Sequence, residues 1–93
     1  MTTNLSFTAI SDLPEQLPEI PPDSIISRTV FSDKAFKAIL FGFAAGQELS
    51  EHTASRPAVL HFVQGEAQLT LAGEAMHAAP GTWVHMQPNL PHS

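Results

Sequence analysis

Gly46-Gln-Glu-Leu-Ser-Glu-His52, followed after a short polar gap by Ala58-Val-Leu-His-Phe-Val-Gln-Gly65, and Gly81-Thr-Trp-Val-His-Met-Gln-Pro-Asn-Leu-Pro-His92 together decide how this chain reads. Each segment sets a histidine beside a short run of β-branched, aromatic and aliphatic residues, bounded by glycine or proline. Such runs favour a pleated backbone, and the glycines and prolines end them. Between and around them the pattern predicts strands over Ala58–Val63, Glu66–Leu71, Glu74–Ala79 and Thr82–Met86. Gly65, Gly73 and the Pro80-Gly81 pair punctuate these strands at about the eight-to-twelve-residue spacing of sandwiches and barrels. No stretch sustains a helical period, so the fold class is all-β.

Working outward, Ile25–Phe31 and Ala35–Phe43 read as two more strands joined by the turn residues Ser32-Asp33-Lys34. A short helix over Asp33–Leu40 competes with that hairpin, but the Phe41-Gly42-Phe43 that follows argues against it. Residues 1–23 read as an arm. Leu5–Ile10 alternates and could add an edge strand, whereas Leu13–Pro22 carries four prolines that remove donors and fix φ, giving extended chain. Leu13, Leu17 and Ile20 would let this arm lie across a neighbouring surface; a plain linker is the alternative.

In Ala58–Val63 both alternating sets are largely apolar, the pattern of a strand covered on both faces. One face would line an interior and the other would meet a second subunit or the arm. Trp83 and His85 against Val84 and Met86 repeat the pattern, so Trp83 is expected in an interface or the core. Phe36, Phe41, Phe43 and Phe62 are expected in the core.

The bulk properties bound the function. With 93 residues this is one small domain, for which burying enough apolar surface is a constraint. Charged residues make up 14%, a low share that leaves the surface thinly solvated and points to a homodimer. The formal charge is −5 and the only cations, Arg28, Lys34, Lys37 and Arg56, form no cluster. No partner role with nucleic acid or an anionic membrane is therefore expected. The longest apolar run, Ala38–Ala45, is too short to span a bilayer, and no Lys or Arg stands among the first 27 residues as a leader would need. With no cysteine, disulfides and thiolate sites are excluded, and a cytoplasmic location is expected.

The glycine, histidine and proline framework resembles the cupin family in its small single-domain form. The family's first motif runs Gly, a few residues, His-x-His, three or four residues, Glu, six residues, Gly; Gly46, His52 and Gly65 match it. Its second runs Gly, about five residues, Pro, x, Gly, two residues, His; Gly81 and His92 match, with Gln87-Pro88-Asn89-Leu90-Pro91 at the turn. Asn89 stands in place of glycine and tolerates the left-handed conformation such turns need. The resemblance covers about half the chain. It implies a double-stranded β-helix, a jelly-roll barrel, over residues 24–93. Ser93 falls one residue past the second-motif histidine, where such barrels continue. The expectation is a barrel incomplete at its carboxyl end, or an edge completed by a partner or by the arm.

The same resemblance implies a divalent metal (Zn, Ni, Mn or Fe) held by three histidines and a glutamate. Here Ala54 stands for the second histidine and Ala58 for the glutamate, which leaves His52 and His92. Such metals normally take three or more protein ligands. Glu48, Glu51, His61, His77 and His85 are the other candidates, but alternation turns His61 and His85 away from the interior and His77 reads as a surface residue. His52 and His92 are thus metal ligands, hydrogen-bonded pocket histidines, or simply residues kept by an ancestral frame. Leu60, Phe62, Val84 and Met86 would line the pocket. The leading functional reading is a small barrel that binds a small molecule, with or without a metal. A metal-dependent oxygenase or isomerase using His52 and His92 is the second, and a non-catalytic sensing or regulatory module the third. No serine elbow or phosphate-cradling loop competes.

Overall fold

The computed structural model describes residues 6–93. Six strands form in chain order: β1 (Ile25–Ser32), β2 (Lys37–Phe43), β3 (Ala58–His61), β4 (Ala67–Leu71), β5 (Glu74–Ala78) and β6 (Trp83–Met86). The only helical element among the described residues is one 3-10 turn, Pro14–Gln16. The strands pair antiparallel as β1–β2, β3–β6 and β4–β5. By contact the chain divides into two compact units, Met1–Gln47 and Glu48–Ser93.

In the first unit the expected hairpin forms, and the helical alternative over Asp33–Leu40 does not. Asp33 closes the turn: its Oδ1 accepts the N–H groups of Ala35 at 2.9 Å and Phe36 at 2.7 Å. That is the local side-chain-to-backbone bonding by which aspartate favours turns over helix interiors. The register slips between Thr29 and Phe31, so Val30 is the extra residue of a bulge. The arm does not continue as extended chain throughout. A proline at the start of the 3-10 turn costs nothing, because the first N–H of such a turn has no partner to lose. Beyond the turn, Leu17 and Ile20 lie over Gly42 in β2: a Cβ on Gly42 would sit 2.8 Å from Ile20 Cδ1. The arm thus rests on its own hairpin, fixed also by Arg28 Nη1 donating to the Gln16 carbonyl. Residues 6–10 form no strand, and Leu5 lies outside the described residues.

The second unit carries the histidines. Its turns follow the residues: Thr82 N–H donates to the Ala79 carbonyl across Pro80-Gly81, with Gly81 at φ 97°. Leu90 N–H donates to the Gln87 carbonyl across Pro88-Asn89, with Asn89 at φ 68°. Proline second and a positive φ third is the type II arrangement, and Asn89 takes the left-handed conformation its position demands.

The core differs from expectation. The buried hydrophobic residues among those described are Leu69, Ala78 and Met86. Phe36, Phe41 and Phe43 are 60%, 50% and 43% exposed, and Phe62 is half-buried. The physical reason lies in register: Phe41 and Phe43 stand two apart on β2, on the side away from Gly42 and the arm. Alternation tells which residues share a face, not which face is covered. Likewise Val59 and Trp83, on the outer side of β3–β6, are 50% and 60% exposed.

Candidate functional site

His52 and His92 meet as directly opposed residues in an antiparallel bridge. Each donates its backbone N–H to the other's carbonyl at 3.0 Å. Residues that exchange both bonds in this way stand about 5.5 Å apart at Cα and point their side chains to one face. Here the imidazoles lean together, with centroids 4.2 Å apart and planes inclined by 56°. On its other side the 91–93 segment is fixed to β4: Ser93 and Thr70 exchange backbone bonds at 2.9 and 3.0 Å, and Ala72 N–H donates to the Pro91 carbonyl at 2.8 Å. Leu71 is thereby the residue facing His92 from β4. The His92 strand is flanked on both sides, which leaves His92 only 9% exposed while His52 is exposed.

The ring nitrogens have defined roles. Nδ1 of His52 lies 2.8 Å from the Ser50 carbonyl, and Nδ1 of His92 lies 2.9 Å from the Leu90 carbonyl. A carbonyl oxygen only accepts, so each Nδ1 carries the hydrogen and donates. In this tautomer of the neutral ring, Nε2 is the nitrogen that carries the lone pair. An N–H tied to a backbone carbonyl is the arrangement that orients histidines for metal ligation. Both rings obtain it from the carbonyl two residues earlier.

The other expected residues fall into two groups. Leu60 opposes Val84 and Ala58 opposes Met86, so Leu60, Val84 and Met86 share one face of the β3–β6 ladder, with Met86 buried and the other two half-buried. Phe62, two residues beyond Leu60, donates its backbone N–H to the Thr82 carbonyl and accepts from Gly81. His61 and His85 lie exposed on the opposite face, as alternation predicts. His77 is a surface residue with Nε2 3.5 Å from Glu66. Among the described residues no three His, Asp or Glu side chains converge, so Glu48 and Glu51 do not complete a set with His52 and His92. The donor chemistry of the pair suits a transition metal, but only as half of a full protein set. Sequence reasoning missed an open apolar cleft of about 390 Å³ lined by Thr8, Ile10, Val30, Phe31, Phe36 and Ala38. The alternation of residues 5–10 and the apolar start of the hairpin were its only signal.

No family model matches the chain, and no curated protein matches it. Two solved structures do. A cupin superfamily protein from Desulfitobacterium hafniense is similar over 97% of this chain and 82% of its own, with a TM-score of 0.81 at 21% identity. A conserved protein of unknown function from Streptococcus pyogenes is similar over 97% of this chain and 78% of its own, with a TM-score of 0.78 at 26% identity. The chain therefore has the all-β cupin fold, as its glycine, histidine and proline framework implies. Among the described residues, no helix is long and apolar enough to cross a membrane.

Proposed function

We propose that this chain is a small-molecule-binding cupin-like domain whose polar anchor is a divalent metal ion held by Nε2 of His52 and Nε2 of His92. The observation that carries the reading is the locked pair: two rings on one face, 4.2 Å apart, each with its Nδ1 hydrogen committed to a backbone carbonyl. One ion held by both rings would require their Nε2 atoms to converge on it at metal–nitrogen bonds of about 2.0–2.1 Å. With two imidazoles and no carboxylate, the set favours Zn, Ni or Fe over Mn, which prefers oxygen donors. The absence of cysteine suits a reducing, cytoplasmic setting.

The test is metal retention. After dialysis against Ni²⁺ and then buffer, the wild-type chain is expected to keep about one ion per chain, measured by mass spectrometry, and His52→Ala to lose it. His52 is the informative position because it is exposed, so its removal costs the fold about 0.5 kcal/mol or less. A wild-type chain that retains no Ni²⁺ overturns the metal reading.

The reading includes a homodimer. Exposed Phe41, Phe43, Val59 and Trp83, beside so few buried hydrophobic residues, support an assembly that covers them. Sedimentation velocity is expected to show a dimer at micromolar concentration; a monomer across the accessible range removes this part.

A further inference from the structure

Resting on the homodimer reading, we infer which face the second copy covers and what controls the contact. It docks on the outward face of the β3–β6 ladder around Trp83, and His61 and His85 make the association depend on protons. The dimer holds at neutral pH and parts in mild acid.

The ladder register builds this face. Val59 opposes His85 and His61 opposes Trp83. Phe62 N–H reaches the Thr82 carbonyl at 2.9 Å, so by alternation both pairs are of the non-hydrogen-bonded kind, whose side chains stand closer together. All four residues are exposed. Trp83 is the one tryptophan of the chain, and tryptophan is among the residues most enriched at the energetic centres of interfaces. The four positions carry no Asp, Glu, Lys or Arg, on a chain whose formal charge is −5. Two such chains repel across their acidic surfaces, so a second copy fits best where no carboxylate stands. A partner of strong opposite charge would find nothing here to pair with. The hairpin offers a rival face, Ile39, Phe41 and Phe43 on β2 with Thr29 and Ser27 opposite the first two. It is equally uncharged, but it carries no tryptophan and no titratable group, so the two faces differ in their response to pH.

A self-complementary contact repeats the same patch on both copies. Whether its two-fold axis runs along the strands or across them, the imidazoles of both copies come to lie between the two sheets. Burial there disfavours the imidazolium, and like charges brought together repel, so the free chain takes up protons more readily than the dimer. Acid therefore favours the free chain, and association weakens as pH falls through the range in which histidine gains its charge. No carboxylate offsets this. The outward positions of β3 and β6 bring none to His61 or His85, and the one ion pair among the described residues joins His77 to Glu66.

Sedimentation velocity of the full chain between about pH 8 and about pH 5.5, in wild type and in His61→Gln with His85→Gln, tests this. Each histidine barred from its proton in the dimer weakens association about tenfold at one unit below the usual histidine value. The wild-type chain is therefore expected to lose affinity about a hundredfold or more across the series, and the glutamine pair less than about threefold. Should that pair fail to fold, either substitution alone should show an intermediate loss, about tenfold. Circular dichroism at each pH separates dissociation from unfolding. If the wild-type chain unfolds at the acid end, the fall between about pH 8 and about pH 6 decides. At about pH 8, Trp83→Ser should weaken the dimer about tenfold or more, and Phe41→Ser should leave it unchanged. A wild-type dimer as tight in acid as at neutral pH overturns this inference and leaves the homodimer reading standing. So does a glutamine pair that still dissociates in acid, or a dimer broken by Phe41→Ser and not by Trp83→Ser. A monomer at every pH removes both.

Discussion

The two units of this chain reach order by different routes. In Met1–Gln47 the structure is built from neighbours in sequence: an aspartate-closed turn, a hairpin on it, and an arm that folds back onto the same hairpin. In Glu48–Ser93 the decisive contact joins His52 to His92 across most of the unit, and the segment around His92 is gripped from both sides. The first unit places its apolar groups by packing on a glycine. The second places its polar groups by ladder register, which fixes side-chain direction more tightly than packing does. The candidate site is in the second unit, and this is the physical reason it could be read from spacing.

The largest expected effect that separates the two routes is at Gly42. Its backbone has no left-handed conformation to explain the glycine; the need is for space beneath Leu17 and Ile20. Gly42→Val would drive a branched side chain into Ile20 Cγ1 and Cδ1, which stand 2.9 and 2.8 Å from the first added carbon. Overpacking of this kind costs about 1–3 kcal/mol, and here it should lift the arm. Urea denaturation is expected to show the loss, and limited proteolysis to show faster cleavage between residues 13 and 22. Ile20→Ala in the same chain should recover much of it, since the clash is with a side chain. Nickel retention should stay as in wild type. Unchanged protease sensitivity would mean that the arm does not rest on Gly42.

What the sequence revealed follows the same division. The strands of the second unit lie within a residue or two of the expected bounds, because glycine and proline mark their ends chemically. Asn89 was legible as a left-handed turn residue, and His61 and His85 as outward-facing, since both depend on local rules alone. The hydrogen bonds that lock the imidazoles were not legible: they arise from carbonyls whose direction is set only once the ladder exists. The phenylalanines misled for a related reason. Phe41 and Phe43 share a face by alternation, but nothing in β2 says whether anything lies over that face. Ala54 and Ala58 were readable as missing donors, and the structure adds that no other side chain among the described residues replaces them.

The smallest effect is also the sharpest test of register. Leu71 and Glu74 close the β4–β5 hairpin around Ala72 at φ 48° and Gly73 at φ 84°. Two positive values in a two-residue loop make a type I′ turn, whose first position favours asparagine. Alanine held there costs about 1 kcal/mol, because its Cβ crowds the following carbonyl. Ala72→Asn should therefore raise stability by about 0.5–1 kcal/mol in urea titration. Ala72→Gly should gain less, because the relief is offset by the greater freedom of glycine in the unfolded chain. Ala72 N–H also donates to the Pro91 carbonyl, one residue before His92, and asparagine keeps that donor. If the ladder positions the histidine pair, Ala72→Asn should stabilise the chain and leave nickel retention unaltered. A stabilised chain that loses nickel would instead show that the strain at Ala72 is what holds His92 in register, and that the two units differ less than their ladders imply.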